Sequence, residues 1–126
     1  MVKILIVDDT RSVHSFIEMI CKNKNFAFLH AYNGQEALDI IAASNNIDLV
    51  LLDWEMPIMN GPETLDEIMN QGLTVPVVMM TTKNAFEDIQ AMIEAGATDY
   101  MMKPFTIDIM LEKIQNIEGL GECNVA

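Results

Sequence analysis

Short apolar runs and helical apolar spacings alternate along the whole chain. Val2-Lys3-Ile4-Leu5-Ile6-Val7 is almost continuously apolar and too short for a helix, the pattern of a strand buried on both faces. It stops at Asp8-Asp9. Val13, Phe16, Ile17 and Ile20 then recur at i, i+3, i+4 and i+7, one face of an amphipathic helix. Phe26 to Tyr32 predicts a second strand, Asn33-Gly34 breaks it, and Ala37, Leu38 and Ile41 mark a short second helix. Asp48 to Leu52 predicts a third strand, ended by Asp53. In the turn-rich stretch from Met56 to Pro62, the proline suits the first turn of a helix, whose apolar side is Leu65, Ile68 and Met69. Val75 to Met80 predicts the fourth strand, ending at Thr81-Thr82. Phe86, Ile89 and Ile93 set the face of a fourth helix, which Gly96 closes. Thr98 to Met102 predicts a short last strand ending at Lys103-Pro104, and Ile107, Met110, Leu111 and Ile114 give the final helix its apolar side.

Five predicted strands alternating with five predicted helices call for right-handed crossovers and a parallel sheet covered on both faces, an α/β doubly wound fold. No repeat, linker or low-complexity segment interrupts the alternation. Residues 1–118 are expected to form one domain and residues 119–126 a short tail, the organisation of a free-standing protein.

Composition narrows the chemistry. At 126 residues with 51% apolar content, the chain is long enough for one core and too short for two comfortable domains. Seven Lys+Arg against 19 Asp+Glu give a net charge of −12, and Arg11 is the only arginine. No basic face can be assembled for nucleic acid or for anionic lipid. No apolar run approaches the roughly 18–20 residues needed to span a bilayer, and the opening residues lack the apolar stretch of a signal peptide. Cys21 and Cys123 form no metal or redox spacing and read as reduced thiols. The expectation is a cytoplasmic protein.

In an open parallel sheet, ligands bind beyond the carboxyl ends of the strands. Those ends carry Asp8-Asp9, Asp53, Thr81 and Lys103, while the second strand, ending at Tyr32-Asn33, contributes nothing obvious. Each residue alone has an ordinary explanation as a cap, a turn residue or a solvated charge. Their meeting at one rim does not. Two like charges about 4 Å apart repel by roughly 4 kcal/mol at an effective dielectric of 20, so converging carboxylates need a cation. Oxygen donors without His or Cys point to a hard divalent ion such as Mg²⁺, which often binds through one or two carboxylates plus a phosphate. Acids, metal, a lysine ammonium and a threonine hydroxyl together suit a phosphoryl group in transfer.

With these residues in place, the chain resembles the receiver domain of two-component response regulators, in its single-domain form the CheY-like chemotaxis regulators. The resemblance covers residues 2–118. It is carried by Ile6-Val7-Asp8-Asp9, by Asn33-Gly34-Gln35-Glu36-Ala37-Leu38, by Asp53-Trp54-Glu55-Met56-Pro57-Ile58-Met59-Asn60-Gly61, by Thr81, and by Ala95 through Phe105. It implies a flavodoxin-like sheet of order 2-1-3-4-5. It also implies a switch in which Asp53 accepts a phosphoryl group from a sensor histidine kinase or phosphotransfer protein. By the same resemblance, Asp9, Asp53 and the backbone carbonyl of Glu55 would bind Mg²⁺ directly, and Asp8 through a metal-bound water. Lys103 and Thr81 would contact the phosphoryl oxygens. Tyr100 would move inward as Thr81 withdraws, remodelling a face read by a downstream protein. The family also implies a cis Lys103–Pro104 bond. Such a protein accelerates its own phosphorylation and dephosphorylation and is not an enzyme acting on a separate product.

Several residues depart from the commonest family pattern. Thr82 stands where Ala or Gly is more usual, and Pro62 where an apolar residue is common. His14 reads as a partly exposed surface histidine rather than a phosphodonor. Met19, Met69, Met92, Met101 and Met110 read as core, and Trp54 as a fluorescence reporter. Glu55 and Lys83 lie two residues after the nucleophile and the switch threonine. They are expected to pair across the mouth and, with Thr82, to lengthen the phosphoryl lifetime. Two rivals fit less well. A phosphohydrolase of the haloacid-dehalogenase type needs Asp-x-Asp, but position 10 is Thr10. A flavin mononucleotide binder needs a phosphate loop that Asp8-Asp9 would repel.

Overall fold

Ten elements alternate along the chain: β1 (Val2–Val7), α1 (Arg11–Ile20), β2 (Phe26–Ala31), α2 (Gly34–Ala43), β3 (Leu49–Asp53), α3 (Gly61–Asn70), β4 (Val77–Thr81), α4 (Phe86–Glu94), β5 (Asp99–Met102) and α5 (Ile107–Gln115). The structure, a computed structural model, describes residues 1–43 and 46–117. The expected tail, 119–126, and Cys123 within it lie outside the described residues. The strands form one parallel sheet in the order β2-β1-β3-β4-β5. This is the doubly wound, flavodoxin-like order expected.

The continuous apolar runs are sorted by the two-residue strand period into two core layers. Ile4, Ile6, Leu49, Leu51, Val78 and Met80 face one side, where they pack on Ile17 of α1 and on Met110 and Ile114 of α5. Leu5, Val7, Val50, Leu52, Val77 and Met79 face the other, against Leu38 of α2, Leu65 and Ile68 of α3, and Met92 of α4. Alternation between hydrophobic and polar residues is absent in β1 and β3 because neither face meets water. Edge strand β2 is only half-buried along most of its length, which leaves room there for polar side chains.

Local chemistry fixes the helix starts and stops. Asn60 caps α3 through a bond accepted from the Glu63 N–H at 2.9 Å, and Glu63 returns one from the Asn60 N–H at 3.0 Å. Thr106 caps α5. Gly96 follows the α4 cap in a left-handed conformation (φ 118°), as its placement predicted.

The structure corrects several details. Asp53 is the last residue of β3, so the sheet itself holds it. The ladder of β4 begins at Val77, one residue beyond Pro76, which has no N–H to donate. The inward face of α4 is Ile89 and Met92, and Phe86 (73% exposed) and Ile93 (45%) point outward. Met92, Met101 and Met110 are core, but Met19 is 64% and Met69 37% exposed. His14 is buried, not on the surface: its ring is enclosed between α1 and the end of β2.

Candidate functional site

Parallel strands end at one edge, and that edge gathers the expected residues. Asp8 directly follows β1, Asp53 closes β3, Thr81 closes β4, and Lys103 directly follows β5. The Lys103 ammonium reaches between the two acids, donating to Asp8 Oδ2 at 2.8 Å and Asp53 Oδ1 at 2.9 Å. The Lys103–Pro104 bond is cis, as the resemblance implied. Asp8, Asp53 and Thr81 are buried and Asp9 is exposed. Asp9, Asp53, Thr81 and Lys103 line a cleft of about 170 Å³.

Electrostatics follow from that placement. Burial pushes the Asp53 carboxyl up to about 6, aided by the Asp8 and Asp9 charges, while the hydrogen bond from Lys103 opposes the rise. Burial alone would pull the Lys103 ammonium down, but its bonds to the Asp8 and Asp53 carboxylates outweigh this and raise it. Two carboxylates share one cation, so the cluster has charge to spare for a second.

The donor set fits a hard ion. Carboxylate oxygens of Asp8, Asp9 and Asp53 lie within 4.8 Å of one another, with no nitrogen or sulfur among them. Thr81 Oγ1 accepts a bond from the Lys83 N–H at 2.8 Å, which leaves its own proton free to donate.

The loop after β3 is tightly held. A Cβ on Gly61 would lie 2.4 Å from the Asp53 carbonyl oxygen, so no larger residue fits beside the nucleophile candidate. Ile58 adopts φ 71°, with the Met59 N–H donating to the Pro57 carbonyl at 2.7 Å, a strained γ-turn for a β-branched residue. Glu55 and Lys83 do meet, at 3.9 Å, Glu55 largely exposed and Lys83 half-buried, and Lys83 also lies 5.6 Å from the Trp54 ring centre. Exposed Thr82 stands beside them. Tyr100 is half-buried, with the Lys113 ammonium 4.9 Å from its ring centre and bonded at 3.2 Å to Asp99.

The family model for the response regulator receiver domain matches residues 4–115. The chain belongs to this family. Among curated relatives, this receiver domain is 38% identical over 115 residues to the response regulator ArlR of Staphylococcus saprophyticus. That match covers 91% of the chain and 51% of ArlR, so the chain spans about half of that relative. It is 29% identical to a chemotaxis protein CheY homolog of Campylobacter jejuni, covering 94% of each. Among solved structures, chemotaxis protein CheY4 of Vibrio cholerae superposes with a TM-score of 0.83 at 29% identity, covering 91% of this chain and 97% of that one. Receiver domains of this CheY-like kind serve two-component signalling, accept phosphoryl groups and bind Mg²⁺ at an acidic pocket. Among the described residues no helix is long and apolar enough to cross a membrane.

Sequence reasoning missed what the second strand does. The Asp8 N–H donates to the Ala31 carbonyl at 3.1 Å, and His30 of β2 meets His14. The only signal was indirect: the chain's two histidines fall on segments that flank β1.

Proposed function

We propose that the domain is a phosphorylation-activated switch in which Asp53 accepts a phosphoryl group from a phosphohistidine on a sensor kinase or phosphotransfer protein. The observation that carries this reading is Lys103 held between Asp8 and Asp53 at the carboxyl rim, in a chain of the receiver family. An Asp53 carboxylate oxygen attacks phosphorus, the new O–P bond forms, and the P–N bond breaks to release the partner's imidazole. Lys103 and the Thr81 hydroxyl hold the phosphoryl oxygens. Asp9, Asp53 and the Glu55 carbonyl would hold Mg²⁺ directly and Asp8 through a water, and the ion would neutralise charge on the transferring group.

Withdrawal of Thr81 toward the phosphoryl group opens space that Tyr100 fills. The Lys113 contact on Tyr100 couples that motion to α5, so a partner preferring one state reads the switch. Chemistry is confined to the domain's own phosphorylation and dephosphorylation, within a unit spanning residues 1–118, acting in the cytoplasm. Glu55, Thr82 and Lys83 at the mouth would slow loss of the phosphoryl group.

Incubation with acetyl phosphate and Mg²⁺ tests the assignment. The parent should be labelled and Asp53→Asn should not, with the fold intact by circular dichroism. Labelling of the Asn variant at the parent's stoichiometry would overturn it. For the pathway we favour chemotaxis-type control, supported by likeness to the Campylobacter jejuni chemotaxis protein. Phosphotransfer profiling against the organism's histidine kinases decides it: transfer confined to a kinase outside chemotaxis rejects that reading.

A further inference from the structure

Asp8 is held at every polar atom. Its carboxylate accepts from the Thr10 N–H at 2.9 Å and from Lys103 at 2.8 Å, and its own N–H donates to Ala31. Its carbonyl lies past the end of β1 and accepts from His14 Nε2 at 2.8 Å. Beyond His14 the contacts continue outward. His14 Nδ1 is 2.7 Å from His30 Nδ1, and His30 Nε2 is 2.6 Å from Glu18 Oε1. The Tyr32 ring covers His14 with centres 4.4 Å apart.

The hydrogens in this chain follow from its two ends. A carbonyl oxygen and a carboxylate can only accept, so His14 Nε2 and His30 Nε2 each carry a proton. The 2.7 Å contact between the two Nδ1 atoms is a hydrogen bond only with one proton between them. The two rings then share three protons, one on each Nε2 and one between the Nδ1 atoms. With that third proton on His30, whose Nε2 faces the Glu18 carboxylate, His30 is a cation and its Nδ1–H donates to His14 Nδ1. This fixes the tautomer that lets His14 donate to Asp8, much as an outer partner fixes a metal-ligating histidine.

We propose that His14 is a positioning residue for the rim: braced by His30 and Glu18, it fixes the Asp8 backbone and so the direction of the Asp8-Asp9 carboxylates. This rests on the proposed role of those carboxylates in binding Mg²⁺. The link is covalent and short, because Asp9 follows the carbonyl that His14 holds. The second strand thereby acts on the site without delivering any group to the rim.

Two substitutions separate the donor from the packing. In Gln the amide nitrogen lies as many bonds from Cβ as Nε2 does in His, so His14→Gln retains the donor. His14→Met keeps similar reach with no donor. Mg²⁺ affinity is read by Trp54 fluorescence and by calorimetry on the unphosphorylated protein, with urea unfolding as the control for stability. His14→Met should weaken Mg²⁺ binding about tenfold, the usual scale for loss of an outer-shell contact. His14→Gln should restore it to within a few-fold, and His30→Leu should give an intermediate loss. The rate of phosphorylation by acetyl phosphate should fall for His14→Met at low Mg²⁺ and recover when Mg²⁺ saturates. Parent-like affinity in His14→Met, or equal losses in the Met and Gln variants, would overturn the positioning role. If the parent itself bound no Mg²⁺, the metal reading of the rim would fail first, and the positioning role with it.

Discussion

The floor and the mouth of the cleft each hold a lysine facing carboxylates, and they differ in every physical respect. On the floor, Lys103 meets Asp8 and Asp53 at 2.8 and 2.9 Å, with the acid side chains 0% and 9% exposed. At the mouth, Lys83 meets Glu55 at 3.9 Å, with the side chains 38% and 74% exposed. Water screens the outer pair, whose contribution to stability is about 0–1 kcal/mol. The inner cluster is desolvated and has no such relief, so removal of either sign should matter. The floor is therefore constrained by the fold, whereas the mouth is free to vary and to tune a rate.

The sharpest way to break this contrast is to remove the inner cation. Lys103→Met leaves two buried carboxylates facing each other, and should destabilise the metal-free protein by about 3 kcal/mol at pH 7 in urea unfolding. A loss no larger than that of Lys83→Ala would erase the distinction between the two regions.

Removing one inner acid should act in the opposite direction. Asp53→Asn leaves Lys103 and Asp8 as a balanced pair, and should stabilise the metal-free protein by about 1–2 kcal/mol at pH 7. The sign follows from the raised carboxyl. Burial lifts Asp53 from 3.8 to about 6, so folding disfavours its ionised form. That penalty is absent below about pH 4, the ordinary carboxylate value, and grows until the pH passes the folded value near 6. The gain from Asn should therefore be nil at pH 3.5 and constant above pH 7. A gain that instead grew on acidification would show that Asp53 is stabilised by ionising.

The smallest effect on stability belongs to the mouth. Lys83→Ala should change unfolding free energy by less than about 1 kcal/mol. Its effect should appear in rate: Lys83→Ala combined with Thr82→Ala should speed autodephosphorylation a few-fold, by opening the in-line approach of water to the phosphoryl group. Added salt should reproduce part of the Lys83 effect. A phosphoryl group lost at the parent's rate or more slowly would remove the mouth from the account.

The sequence was most informative where the physics is one-dimensional. Short apolar runs separated by helical spacings specify four crossovers, and parallel strands must present their carboxyl ends at one edge. Asp8, Asp53, Thr81 and Lys103 were therefore legible as a rim without any contact being known. The Glu63 partner of the Asn60 cap could also have been read, since its three-residue spacing is local.

Other features depended on how the elements sit against one another. Apolar residues occupy more than one side of α4, so spacing alone did not say whether Phe86 or Met92 turns inward; in the fold Met92 joins the core layer that holds Val77 and Met79, and Phe86 faces water. Met19 and Met69 have the same chemistry as buried Met110, and only the rotation of each helix about its axis separates them. His14 and His30 are 16 residues apart, and parallel pairing of β2 with β1 brings His30 to the side where α1 crosses. Periodicity along one chain fixes which residues share a face. The phase of that face, and which two faces meet, depend on sheet register and helix packing, and those arise only when distant segments bury one another's surface.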